Sequence, residues 1–170
     1  MKLAILGAGA VGASVADLAG EYGHTVTALA DSTSAAVDPD GLDVATVLDR
    51  KDSEGVVGDA PAGDALEAPY DVLVEATPTT LGDAQPGFGH VESALERDRH
   101  VVLANKGPVA ERYGDVRELE ARSEGRVLFE ATVGGAIPVL STIADFGPET
   151  ITAARGVLNG TANFILTRMA

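Results

Sequence analysis

The amino-acid sequence predicts an α/β fold, in which a mainly parallel, doubly wound sheet buried on both faces is followed by the start of an α+β domain. Three observations lead there. Short apolar runs of four or five residues alternate with stretches of helical periodicity, the pattern of successive βα units. The first run passes directly into the glycine string GAGAVG (7–12). A length of 170 residues with 45% hydrophobic content suffices for one ordinary core, or for one domain and the beginning of a second.

Taken in order, strands are expected at LAIL (3–6), VTALA (26–30), VLVEA (72–76), VVLA (101–104) and VLFEA (127–131). Between the first two, Val11, Val15, Leu18, Ala19 and Tyr22 fall on one helix face. Residues 52–69 are rich in Gly, Pro, Ala and acid, and are expected to form a surface loop with at most one short element. Val91, Ala94 and Leu95 mark a second helix. The best-marked helix begins at Pro108, places Val109, Tyr113, Val116 and Leu119 on one stripe, pairs Glu118 with Arg122 at i,i+4, and stops at Gly125. From Ile137 the pattern changes to a short helix over Pro138 to Phe146, a strand over 151–158 and a helix opening in TANFILTRMA (161–170). The chain ends there without a glycine or basic cap, so further chain is expected downstream. The domain boundary is expected between 135 and 136, giving a dinucleotide-binding domain at 1–135 and the beginning of a substrate domain at 136–170.

Charge and composition exclude several functions. With 26 acidic against 12 basic residues the formal charge is −14, which repels phosphate backbones and anionic bilayers, so neither nucleic acid nor membrane is an expected partner. The acidic excess, with three lysines among the twelve basic residues, matches proteins of salt-saturated cytoplasm, where self-repulsion is screened. The absence of cysteine removes disulfides, thiolate metal sites and thiol nucleophiles. The start MKLAILGAGAVG is unlike a signal peptide, and no apolar run approaches the roughly 18 residues of a membrane span, so a cytoplasmic site is expected.

GAGAVG has the G-x-G-x-x-G spacing, and it lies where that spacing carries meaning, after a strand and at the start of a helix. Gly7 permits the tight turn, Gly9 lets backbone approach a pyrophosphate, and Gly12 allows close helix–strand packing, while the free N–H groups of the helix start face the anion. An acidic residue about 20 positions on is expected to end the second strand and accept from the adenosine ribose hydroxyls, and Asp31 stands there. Asp31 favours NAD by repelling a 2′-phosphate, whereas Arg50 and Lys51 would attract one or else merely solvate a helix end. The choice between NAD and NADP therefore stays open. Lys106 lies at a strand's carboxyl end, in the four-residue turn Asn105 to Pro108 that leads from VVLA into the next helix, and Asn105 is its neighbour. His24, His90 and His100 share no metal-like spacing and are assigned to surface or strand-edge positions, and Glu75 is expected to satisfy neighbouring backbone groups.

VEATPT (74–79), ANKGPVA (104–110), FEATVGGAIPVL (129–140) and GVLNGTANFILTRM (156–169) together resemble homoserine dehydrogenase, in order and in spacing. The resemblance covers nearly the whole chain, although residues 35–70 add little. It implies an NADP- or NAD-dependent enzyme interconverting L-homoserine and L-aspartate 4-semialdehyde, in threonine and methionine biosynthesis, and homodimeric at full length. It further implies that Ala10 and Val11 meet the cofactor phosphates, that Thr77 lies by the nicotinamide ribose, and that Lys106 stands beside the nicotinamide and the reacting carbonyl. An ammonium there stabilises the charge that hydride arrival leaves on the aldehyde oxygen, or relays a proton. Some members hold a sodium ion at the segment that here offers Glu130 and the backbone oxygens of Val133, Gly135 and Ile137; a simple strand-end hydrogen bond is the other reading of Glu130. The family's second lysine, aspartate and substrate-binding glutamate lie beyond Ala170, so the 170 residues are expected to bind nucleotide with little turnover. Two alternatives stand beside this reading, a non-catalytic NAD-binding regulatory module and an aspartate dehydrogenase-like enzyme.

Overall fold

A computed structural model describes every residue except Leu158 and Ala170. The chain divides into two compact units, Met1–Ile137 and Pro138–Ala170. The first is built from β1 (Lys2–Leu6), α1 (Ala10–Ala19), β2 (Thr25–Ala30), β3 (Ala35–Val37), α2 (Val44–Glu54), α3 (Asp64–Glu67), β4 (Val72–Glu75), α4 (Gly87–Glu96), β5 (His100–Leu103), α5 (Gly107–Glu111), α6 (Tyr113–Ala121), β6 (Val127–Leu128) and α7 (Glu130–Gly134). The second holds α8 (Val139–Phe146), a 3₁₀ turn (Pro148–Thr150) and α9 (Gly160–Met169).

The six strands form one sheet in the order β3-β2-β1-β4-β5-β6, parallel except for the antiparallel edge strand β3. Side chains alternate between two cores, as a strand's period of two requires. Leu3, Ile5, Val26, Leu29, Val72 and Val74 pack with Ala16 and Ala19 of α1 and Val47 of α2. Ala4, Leu6, Ala28, Ala30, Leu73, Val101 and Leu103 pack on the other face with Phe88, Val91, Ala94 and Leu95 of α4 and Val116 of α6. Both faces are therefore covered, which is why the central strands read as continuous apolar runs rather than alternating ones.

The register decides where a site can form. Leu6 pairs with Ala30 on one side and Glu75 on the other, and Glu75 pairs with Leu103. Gly7, Asp31, Ala76 and Ala104 therefore leave the sheet along one edge, and the strand order reverses direction between β1 and β4. Such a switch point opens a crevice at the carboxyl ends of the strands.

Several expectations are corrected. The buried face of α1 is Gly12, Ala16 and Ala19, whereas Val11, Leu18 and Tyr22 are exposed. Small residues win because the helix lies so close to the glycine turn that a Cβ on Gly12 would come 1.8 Å from the Gly7 carbonyl oxygen. The helix expected to run on from Pro108 breaks at Arg112, which ends α5, begins α6, and stacks its guanidinium 4.0 Å from the Phe88 ring. Glu118 and Arg122 form no carboxylate pair; Arg122 Nε instead donates to the Glu118 carbonyl at 3.2 Å. The run VLFEA keeps only Val127–Leu128 as strand, because Glu130 and Ala131 already belong to α7. The segment 52–69 begins with the last turn of α2 and holds the short helix α3, and it also buries Val57, Ala65 and Ala68, while Ala60 exchanges backbone hydrogen bonds of 2.8 and 3.1 Å with Ala35. No strand forms over 151–157, and the expected strand's last residue, Leu158, lies outside the described residues.

Candidate functional site

The crevice is a cavity of about 830 Å³, lined by Gly7 to Val11 at its centre, Ala30, Asp31, Ser32 and Lys51 on the β2 side, and Ala76, Thr77, Pro78, Thr80, Pro86 and His90 on the β4 side. That volume falls within the roughly 300–1,000 Å³ of sites that hold small molecules and cofactors. The glycine turn is shaped for close approach. Gly7 has φ +104°, and any Cβ there would meet the Ala76 carbonyl oxygen at 2.4 Å, so a side chain is excluded on two counts. Gly9, which caps α1, has open space where its Cβ would stand, leaving the backbone bare toward the cavity. The residues present thus fit a pyrophosphate at a helix start.

On the β2 side Asp31 is held on all sides. Its Oδ1 accepts from the backbone N–H of Thr33 and of Ser34, each at 2.7 Å, and from both hydroxyls; its Oδ2 accepts from the Lys51 ammonium at 2.5 Å. Burial works against its charge, but Lys51 and these donors outweigh burial and hold the carboxyl below the usual carboxylate range. Lys51 gives a second hydrogen bond to the Gly55 carbonyl at 2.8 Å, beyond the end of α2. Arg50 is not in the lining. It donates to Asp59 at 2.6 and 3.0 Å and to Glu54 at 2.9 Å, and those hydrogen bonds, Asp59's first, raise its pKa above the ordinary guanidinium value.

On the β4 side Glu75, the last residue of its strand, is completely buried. Its Oε1 accepts from the Thr77 N–H at 3.3 Å and from the Thr77 hydroxyl, and lies 3.3 Å from His90 Nδ1. Asn105, buried at the end of β5, donates from Nδ2 to Thr77 Oγ1 at 3.1 Å and accepts from the Gly107 N–H at 2.9 Å. Lys106 caps α5, is exposed, and donates from its backbone N–H to Thr79 Oγ1 at 3.3 Å; it does not line the cavity. Glu130 and Val133 lie on α7, Gly135 caps it with φ +61°, and Ile137 is exposed beyond it. The structure thus brings Gly7, Gly9, Ala10, Val11, Asp31, Lys51 and Thr77 to one cavity, sets Asn105 behind its wall, and leaves Arg50 outside it.

Sequence reasoning missed the polar lining residues Ser32, Thr80 and His90, and the side-chain contacts of Glu75 behind them. His90 is not a surface or strand-edge residue but a half-buried one on α4, and Glu75 bonds side chains as well as backbone. His90 stands one residue before Val91 of the apolar stripe of α4 and so resembles an ordinary polar position in the pattern. A charged residue inside the run VLVEA was the available signal for Glu75, since strands buried on both faces rarely carry one.

Fold, glycine turn and crevice together define a dinucleotide-binding domain of the Rossmann class. Residues 1–80 match the sequence profile of the glutamate/leucine/phenylalanine/valine dehydrogenase family, a stretch that holds the glycine turn, Asp31 and Thr77. The homoserine dehydrogenase of Methanocaldococcus jannaschii is 36% identical over 99% of this chain and 56% of its own length. An NAD(+)-dependent homoserine dehydrogenase of Pseudomonas canavaninivorans is 31% identical over 99% of this chain and 53% of its own. The solved homoserine dehydrogenase of Thiobacillus denitrificans superposes with a TM-score of 0.68 at 29% identity, over 99% of this chain and 38% of that one. The chain is homologous along its whole length to homoserine dehydrogenase, and it spans about half the length of the curated relatives it matches.

Proposed function

We propose that this chain is the nucleotide-binding part of a homoserine dehydrogenase, an oxidoreductase that moves hydride between a nicotinamide cofactor and L-homoserine or L-aspartate 4-semialdehyde. The observation that carries the reading is the single cavity joining the bare glycine turn to Asp31 and Lys51 on one side and Thr77 on the other. Gly7 to Val11 would hold the pyrophosphate, Asp31 the adenosine ribose and Thr77 the nicotinamide ribose. The cofactor supplies the hydride when bound. The chain's own residues orient it, and Lys106, exposed and outside the lining but next in sequence to the buried Asn105, is the ammonium assigned to the reacting carbonyl. A sodium ion at Glu130 gains no support from the relatives, and among the described residues no group of three acidic, histidine or cysteine side chains is placed to hold a metal ion. No helix among them is long and apolar enough to cross a membrane. Homodimerisation of the whole protein and a role in threonine and methionine synthesis belong to the same reading.

The test is titration of the 170-residue chain with NADH and NADPH by fluorescence, followed by a homoserine oxidation assay. Micromolar binding with slow turnover is expected, and absence of binding to either nucleotide overturns the reading. In a longer form that turns over, Lys106→Ala should lower the rate by about a hundredfold; a loss under threefold would remove the ammonium from the chemistry.

Lys51 bears on the choice of cofactor. Its ammonium neutralises Asp31 and faces the cavity, so a 2′-phosphate meets a carboxylate already paired with a cation. Both cofactors are expected to bind. Lys51→Met should weaken NADPH roughly tenfold more than NADH, and equal losses for the two would show that Lys51 serves Asp31 alone.

A further inference from the structure

Glu75 is an expensive residue to bury. It is 0% exposed at the end of a strand whose other positions are Val, Leu and Val, and its Oε2 has no hydrogen-bond partner among the described residues. A half-satisfied carboxylate in a core costs stability that an apolar residue would not, so packing does not account for it. Its oxygen Oε1 does two things. It fixes Thr77 through both the N–H and the hydroxyl, and it engages Nδ1 of His90 at 3.3 Å. His90 is the one of the pair that reaches the cavity, with a side chain 19% exposed and a place in the lining beside Thr77. A carboxylate acceptor fixes the tautomer with hydrogen on Nδ1, and the two ring nitrogens lie on different edges of the imidazole, so Nε2 is turned away from Glu75.

We propose that His90 is a ligand-contacting residue of the nucleotide site, and that Glu75 is its positioning residue. The inference rests on dinucleotide binding in this cavity. Because the adenosine half is fixed by Asp31 at β2 and the phosphates by the turn after β1, the part of the ligand over β4 is the nicotinamide riboside and its adjoining phosphate. His90 Nε2 meets the hydroxyl or phosphate oxygens of that half. One buried carboxylate thereby sets both polar groups, Thr77 and His90, that the β4 side offers to the ligand.

The experiment compares NADH with ADP, which occupies only the β2 side and the glycine turn, as ligands of the intact chain. His90→Ala should weaken NADH roughly tenfold and leave ADP unchanged. His90→Asn supplies an amide donor in place of Nδ1–H but has nothing in place of Nε2, so it should behave as His90→Ala does. Glu75→Met removes the acceptor shared by Thr77 and His90 and should weaken NADH in the same direction, again without affecting ADP. His90→Asn binding NADH as the wild type does would overturn the proposal and reduce His90 to a partner for Glu75, as would equal losses for ADP and NADH. A wild-type chain that binds neither ligand ends the nucleotide reading itself. A wild type that binds both, with His90→Ala indistinguishable from it, ends only this one.

Discussion

Two carboxylates stand on either side of the glycine turn, each at the carboxyl end of a parallel strand, about two strand spacings or roughly 10 Å apart. Asp31 is saturated: an ammonium, two backbone N–H groups and two hydroxyls converge on it, and every donor but Lys51 comes from the turn immediately after its own strand. Glu75 is deeper and poorer, with one oxygen shared between Thr77 and His90 and the other without a partner among the described residues. The same charge at adjacent levels of the sheet therefore does different work. Asp31 stabilises the loop that carries it, whereas Glu75 costs stability and orders side chains around a ligand. Exchange of stability for function of this kind is what a binding site permits and a core does not.

The largest effect comes from breaking the turn that lies between them. Gly12→Val puts a branched side chain where even a Cβ would stand 1.8 Å from the Gly7 carbonyl oxygen and 3.3 Å from Ile5 Cγ2. The helix must retreat from the sheet, so a stability loss of at least about 2 kcal/mol and the loss of both NADH and ADP binding are expected. Urea denaturation and nucleotide titration read these out. A variant that keeps wild-type affinity would show that the turn does not approach the ligand.

Next in size is the direct contrast between the carboxylates. Asp31→Asn removes charge-assisted bonds and leaves Lys51 without its counter-ion, and should destabilise the chain by about 2 kcal/mol. Glu75→Gln keeps an acceptor for Thr77 and His90 while discarding a buried charge, and should change stability by less than about 1 kcal/mol, with stabilisation the favoured direction. If Glu75→Gln proves the more destabilising of the two, the division of labour between Asp31 and Glu75 is wrong.

This contrast also explains what the sequence made legible. The glycine turn, Asp31 and five of the six strands could be read because each is written locally, as spacing within a short segment. The edge strand β3 was missed, since three small residues, AAV, carry no apolar run and acquire their pairing from β2 and from Ala60. The buried face of α1 was misread because burial there follows smallness rather than hydrophobicity. His90 and Glu75 meet across fifteen positions, and Asn105 meets Thr77 across 28, so no local pattern announces them. Lys51 reaches Asp31 across 20 residues, and its charge alone gave no way to tell it from Arg50, which the fold turns to Asp59 and Glu54 instead.

The smallest expected effect concerns pH, and it sharpens the account of Asp31. Its carboxyl titrates below the ordinary value of about 3.9 that it regains on unfolding. A group whose folded pKa is depressed contributes its full stabilisation above the unfolded value and loses it as pH falls through the folded one. Between pH 5 and pH 8 Asp31 is ionised in both states, so the stability difference between the wild type and Asp31→Asn should stay constant across that window. Below about pH 4 the unfolded chain begins to take up a proton at Asp31 while the folded chain does not, and the difference should shrink. Urea midpoints of the two proteins, measured from pH 3 to pH 8, test this. A difference that changes between pH 5 and pH 8 would mean that the Lys51 ammonium and the Thr33–Ser34 turn do not hold the carboxylate as the structure shows, and Asp31 would then be as poorly satisfied as Glu75.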